Sequence, residues 1–326
     1  MNIAIVGAGA MGSAFGAGLR RAGHDVTLVD RNGAHVEAIR SRGLTLRNSS
    51  GEYTVNVAAT TDLAEVTGAD LALVLVDSNA TSDVAPRMAL TLAESGFVLT
   101  LQNGIGNVEA LAHHLGPERV LGGSTYVSAA MIAPGHAHNT HVGETVLGEM
   151  SGGLTPRAEA AAELLSEAGF PTRAEANVMG HIWSKFALNC ALNPLSAITG
   201  LRPGEVARHE DMAGLLDALI AEILAVVDAK GISLPDADIA EHIRRHAWAR
   251  YNRPSMLQHI EAARATEIGG LNGALVREAD ALGLAVPVNR AITALVRGIE
   301  ARARRGTDVD EVLLEALAKG QMRALD

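Results

Sequence analysis

The stretch "IAIVGAGAMG" (Ile3–Gly12) constrains this chain more than any other. An apolar β-type run meets Gly7, Gly9 and Gly12, and an apolar helical pattern follows. A strand that turns at once into a helix needs backbone angles that glycine adopts freely, which accounts for Gly7. Gly9 lets the main chain approach a pyrophosphate, and Gly12 lets the helix lie close to the sheet. The helix N-terminus then offers phosphates its N–H groups and its positive end. Three glycines at this spacing are weak evidence alone, so the context decides. Asp30 ends a second β-type run, "DVTLVD", 18 residues beyond Gly12, where a dinucleotide-binding chain needs an acid for the adenosine ribose. Gly7, Ala8, Gly9, Ala10, Met11 and Gly12 are therefore expected to hold a dinucleotide. The next position is mixed in its message, because Asp30 suits the ribose hydroxyls of NAD whereas Arg31 suits the 2′-phosphate of NADP.

Further strands are expected at "LALVLV" (Leu71–Val76) and "GFVLTLQ" (Gly96–Gln102), with helices over 11–22, 34–40 and 108–115. Strands that are apolar throughout and alternate with helices predict a parallel sheet covered on both faces. Between about residues 119 and 150, β-rich pieces broken by glycine and "PG" predict an antiparallel or mixed extension of that sheet. A helix is expected over 156–168, and beyond about residue 174 the pattern is almost wholly helical. Gly231 reads as the C-cap of one helix. Ser255–Gly283 reads as a long helix, or a pair, with "GG" as a kink. The expected fold class is α/β: a Rossmann-type dinucleotide-binding domain over 1–172, and an all-helical domain over 173–326.

Composition excludes several alternatives. Twenty-seven lysines and arginines face 37 acids, a formal charge of −10, which argues against a general nucleic-acid or anionic-membrane surface. The single cysteine, Cys190, excludes an internal disulfide and suits a reducing cytoplasm. The N-terminus lacks the basic segment of a signal peptide, and "LALVLV" is far too short to span a bilayer. The expectation is a cytoplasmic protein with a small-molecule partner, no nucleic acid and no membrane. Helical second domains can pair, so a homodimer is open to it.

The segment "HIWSKFALNCALNPLSAITG" (His181–Gly200) poses a different question. Lys185, Asn189 and Asn193 are four apart and share one helix face in an otherwise apolar pattern. Burying an unpaired ammonium costs several kcal/mol, and unpaired amides about 1–3 each. Either partners within the fold satisfy the stripe, or it faces a ligand. A lysine in a partly desolvated cleft can polarise a carbonyl and protonate the alkoxide that hydride transfer creates. The plainer alternative is a lysine reaching out of a buried helix, with amides at a bend forced by Pro194.

Five stretches together resemble the ketopantoate reductase family: "GAGAMGSAFGAGLRRAGHDVTLVDR", "LQNGIGN", "WSKFALNCALNPLSAITG", "NRPSMLQ" and "RATEIGGLNG", the last followed by "PVNRA". The resemblance implies reduction of the 2-oxo acid ketopantoate to pantoate with NADPH. It implies that Lys185 is the general acid and that Asn189 and Asn193 are substrate-binding amides. Glu267 would engage the reacting hydroxyl and help set the lysine. Asn252 and Ser255 would contact the pantoate end, and Asn103 would lie beside nicotinamide and substrate. Ser255 also reads as a helix N-cap, with Gln258 completing a capping box.

Three positions depart from the family pattern. Asp77 stands where a lysine often helps to hold the NADP phosphate, so NAD(H) is expected over NADP(H). His259 stands in the usual "SMLQD" and Gly269 in the usual "TEID", which bears on the exact substrate. A related 2-hydroxy acid dehydrogenase, or a dinucleotide sensor without turnover, remains the alternative. His136, His138 and His141, and the pair His242 and His246, have spacings that can serve zinc, but no base or further ligand accompanies them. No metal is expected. Cys190 faces away from Asn189 and reads as a core thiol.

Overall fold

The computed structural model describes residues 1–305. The described chain divides into two compact units: Met1–Ala187 with Val227–Ile239, and Leu188–Val226 with residues 240–305. The first division falls inside the helix Val178–Thr199, further along the chain than residue 172.

The first unit holds twelve strands: β1 (Asn2–Val6), β2 (Asp25–Val29), β3 (Leu44–Asn48), β4 (Gly51–Val55), β5 (Ala58–Thr60), β6 (Ala69–Val74), β7 (Leu92–Thr100), β8 (Val120–Thr125), β9 (Ser128–Ala133), β10 (His136–His141), β11 (Thr145–Glu149) and β12 (Thr172–Ala174). Eight form one sheet in the order β12-β11-β8-β7-β6-β1-β2-β5. From β5 to β8 every pairing is parallel, and β11 joins β8 antiparallel. Ile3, Ala4, Ile5, Leu71, Ala72 and Leu73 are completely buried, as strands covered on both faces require. The chain leaves β1 towards β2 on one side and returns to β6 on the other. In sheets of this kind ligands bind at that reversal, outside the carboxyl ends of the strands.

Helices α1 (Ala10–Arg21) and α2 (Gly33–Arg42) follow β1 and β2. The expected extension after residue 119 is only partly an extension. β8 and β11 lengthen the main sheet, but β9 and β10 join β3 and β4 in a separate sheet of order β4-β3-β10-β9. Helix α1 packs against both sheets, so its apolar residues have two surfaces to cover.

The described part of the second unit is helical. Gly231, at φ +65°, closes the helix Glu210–Ala229 as expected. Pro194 does not break the helix Val178–Thr199, which runs through it. Buried Leu192, Leu195 and Ala197 around it supply packing that outweighs one lost backbone bond. Residues 255–283 form two helices, Ser255–Glu261 and Asn272–Leu282, and the "GG" lies in the connection instead of kinking a single rod. No helix among the described residues is long and apolar enough to cross a membrane.

Candidate active site

The glycine turn has the geometry its spacing predicts. Gly7 sits at φ +98°, and a Cβ there would lie 2.5 Å from the Val76 nitrogen. A Cβ on Gly12 would lie 2.1 Å from the Gly7 carbonyl oxygen. Gly9 has open space where a side chain would be, which suits the approach of a ligand to the backbone. The N–H groups of Gly7 and Ala8 both donate to the Val29 carbonyl, at 2.9 and 3.0 Å, so the loop is anchored to the end of β2. The first internal bond of α1 runs from the Ser13 N–H to the Gly9 carbonyl, 2.8 Å. Ala10, Met11 and Gly12 therefore present N–H groups with no acceptor in their own helix. Gly9 caps α1 without a side chain, and no acid stands in the first turn to compete for an anion. These features fit a pyrophosphate.

Asp30, Asp77 and Asn103 follow the carboxyl ends of β2, β6 and β7; β2 and β6 flank β1, and β7 lies beyond β6 in the same parallel array. The Asp30 carboxylate accepts the Asn32 N–H at 2.9 Å, while Arg31 is exposed. Asp77 is also exposed, one residue before a short 3₁₀ turn at Ser78–Ala80. The Asn103 carbonyl accepts from the Ser78 hydroxyl at 2.8 Å and from the Asn107 amide at 2.9 Å. Gln102 contributes something the sequence did not disclose. Its amide donates to the Val76 carbonyl at 2.6 Å and to the Thr81 hydroxyl at 2.8 Å, tying the Asn103 loop to the end of β6. A hollow beside this loop is walled by Gly104, Ile105, Gly123, Ile182 and Trp183.

Lys185 is half-buried, and its Nζ donates to the Thr125 carbonyl at 2.6 Å. It also lies 6.0 Å from the centre of the Tyr126 ring. Both neighbours come from the end of β8 and were invisible in the sequence, because they are 60 and 59 positions away along the chain. Along the helix, Phe186, Ala187, Leu188, Cys190, Ala191 and Leu192 are buried, whereas Lys185, Asn189 and Asn193 keep part of their surface. The stripe thus marks less buried positions of a helix that continues through Pro194. Cys190 is completely buried, and burial pushes its thiol well above the ordinary cysteine range.

Within the second unit, Glu267 is half-buried, and its carbonyl accepts from the N–H groups of Gly270 and Leu271 at 3.0 Å each. Asn252 and Ser255 are exposed. Ser255 is not the N-cap of its helix. Pro254 holds that position, Ser255 is the first helical residue, and Gln258 turns back to donate to the Arg253 carbonyl at 2.8 Å. Asn272 and Asn289, from the "LNG" and "PVNRA" stretches, are completely buried. The Asn272 amide donates to the Cys190 carbonyl and to the Asn289 Oδ1, 2.9 Å each. Glu222 in turn accepts from the N–H groups of Val288 and Asn289 and from the Asn289 amide, 2.8 Å each. No group of three His, Cys, Asp or Glu among the described residues could hold a metal ion.

Two family models match the chain: ketopantoate reductase PanE/ApbA over residues 3–152, and ketopantoate reductase PanE/ApbA C terminal over 177–300. A 2-dehydropantoate 2-reductase of Archaeoglobus fulgidus is 36% identical over 301 residues, covering 92% of this chain and 98% of that protein. The crystal structure of a PanE/ApbA family ketopantoate reductase from Ralstonia eutropha JMP134 is similar with a TM-score of 0.87 at 40% identity, covering 93% of this chain and 100% of that one. The ternary structure of D-mandelate dehydrogenase with NADH and anilino(oxo)acetate is similar with a TM-score of 0.86 at 27% identity, with the same coverage.

Proposed function

Because the chain belongs to the ketopantoate reductase PanE/ApbA family, we propose that it reduces a 2-oxo acid, ketopantoate to pantoate, with a nicotinamide nucleotide. The observation that carries this is Lys185, a half-buried ammonium on a helix whose intervening residues are buried, held at the Thr125 carbonyl. The backbone of residues 7–12 would hold the nucleotide, which when bound would supply the hydride for C2 of the oxo acid. Lys185 gives one ammonium proton to the C2 oxygen, so the carbonyl becomes a hydroxyl and the amine is reprotonated from water. Asn189 and Asn193 hold the substrate, Glu267 engages the new hydroxyl, and Asn252 and Ser255 take the hydroxylated end. Asn103 serves both nucleotide and substrate.

NADH is the nucleotide we assign. Asp30 and Asp77 follow the strands on either side of β1, and two carboxylates beside a 2′-phosphate repel it. The repulsion reaches about 4 kcal/mol per close pair at an effective dielectric near 20, against which Arg31 is one exposed cation. A second reading, a different 2-oxo acid on the same scaffold, draws on His259 and Gly269 and on the likeness to D-mandelate dehydrogenase. We also assign the protein to the cytoplasm, where its lone thiol stays reduced, and to a homodimer, which sedimentation equilibrium would test.

One experiment separates these readings: oxidation of NADH and of NADPH with ketopantoate, pyruvate and a phenyl-substituted 2-oxo acid. Ketopantoate with NADH should give the highest kcat/KM. A higher value for the phenyl compound selects the second reading, and nucleotide binding without turnover on any substrate selects a sensor.

A further inference from the structure

His35, in the first turn of α2, is 2% exposed and belongs to none of the roles assigned above. Its Nδ1 accepts the Gly135 N–H at 2.9 Å, from the turn between β9 and β10. An acceptor nitrogen carries no proton, so the ring is neutral with its hydrogen on Nε2. Burial also lowers the pKa of this histidine, although nearby Asp30 opposes the effect. The Ser13 hydroxyl donates to the Ala8 carbonyl at 2.9 Å, so at 3.2 Å from His35 Nε2 its oxygen is the acceptor. The chain of bonds runs from the second sheet, through the ring and Ser13, to a carbonyl inside the glycine turn. The same residue is tied to the other strand end. Its N–H donates to the Asn32 side chain at 3.3 Å, and the Asn32 N–H donates to Asp30 at 2.9 Å.

We propose that His35 is a positioning residue for the dinucleotide, fixing the glycine turn and the Asp30 loop relative to each other through Ser13 and Asn32. The placement follows from what the turn lacks. Gly9 has no side chain and no side chain caps α1, so beyond the two bonds to Val29 the loop that must present its N–H groups to a pyrophosphate depends on neighbours for its anchoring. Ser13, completely buried, is an anchor from α1, and His35 holds Ser13 in the rotamer that reaches Ala8. Hydrogen bonds in such a buried chain are retained because a polar atom left alone there is costly. This inference rests on the glycine turn being the nucleotide site.

The test compares His35→Asn, His35→Gln and Ser13→Ala with the wild type, by NADH fluorescence titration, steady-state kinetics and thermal melting. A glutamine amide can reach the position of Nε2 and donate to Ser13, whereas an asparagine amide stops short. Ser13→Ala and His35→Asn should each weaken NADH binding by about 5-fold or more and raise its KM alike. At saturating NADH, kcat should stay within about twofold, and His35→Gln should bind NADH within about twofold of wild type. A merely structural histidine would lower the melting temperature and leave the NADH KM of the folded protein unchanged, which overturns the proposal. If His35→Asn does not fold, Ser13→Ala decides alone, since it removes one hydroxyl. Tight NADH binding by every variant sinks this inference only. No NADH binding by the wild type sinks the nucleotide reading with it.

Discussion

Four asparagines in the helices of this chain, Asn189 and Asn193 from one motif stretch and Asn272 and Asn289 from two others, meet opposite fates. Asn272 and Asn289 are completely buried and hydrogen-bonded to each other, to Cys190 and to Glu222. Asn189 and Asn193 keep part of their surface on a helix whose other residues are mostly buried. In the sequence the four look alike, polar residues inside apolar helical patterns. Only the first pair has its amides drawn into a network within the fold. One pair is thus held by the scaffold and the other is the pair proposed to hold the substrate, and the two should respond differently to mutation.

The largest effect should come from the head of the half-buried stripe. Lys185→Ala should lower kcat by at least about 10²-fold, the scale for losing a positioned acid, with nucleotide affinity nearly unchanged. Turnover within a few-fold of wild type would detach the stripe from the chemistry. The asparagine pairs come next. Asn289→Ala leaves the Asn272 amide and Glu222 each short of a partner, so unfolding free energy should fall by about 2–4 kcal/mol in a denaturant titration. Asn189→Ala should instead cost about tenfold in kcat/KM, roughly 1.4 kcal/mol, with the midpoint of the same titration barely moved. Equal stability losses in the two variants would erase the distinction.

Carried to the strand ends, the comparison predicts a smaller change. Asp77 is exposed, so Asp77→Asn should narrow the ratio of kcat/KM for NADH over NADPH by a few-fold, the scale of about 1 kcal/mol for an exposed charge. The smallest effect concerns pH. Burial, then Arg250 and His242, pulls the His246 pKa down to about 4 from 6.5. Between these values the folded chain binds fewer protons than the unfolded one, so stability is full above about pH 6.5 and declines as pH falls towards 4. With partial solvent screening the loss should be on the order of 1 kcal/mol, and His246→Leu should flatten that part of the profile.

The parallel strands, the helices between them and the glycine turn could be read directly, because each rests on local rules of strand burial, helix spacing and glycine's backbone freedom. The same was true of the Lys185 stripe, since four-residue spacing fixes a helix face before anything packs against it. The second sheet was not legible. β3 and β10 are paired although about 90 residues separate them, and no local pattern says which edge a strand will join. Ser255 misled for a related reason. Its sequence context fits a capping box, but Pro254 takes the cap position, the helix begins at Ser255 itself, and Gln258 finds the Arg253 carbonyl instead.

The sequence by itself determined what depends on neighbours a few residues away: the nucleotide turn, the chain's class, and the residues of the lysine stripe. Tertiary structure alone decided which polar groups the fold uses up. Thr125 receives Lys185, Gln102 binds the end of β6, Glu222 holds Asn289, and His35 joins Ser13 to Gly135. Each of these bonds joins residues between 22 and 100 positions apart. Their energy exists only where the backbone brings donor and acceptor within about 3 Å in a place without water, a condition no local segment can state.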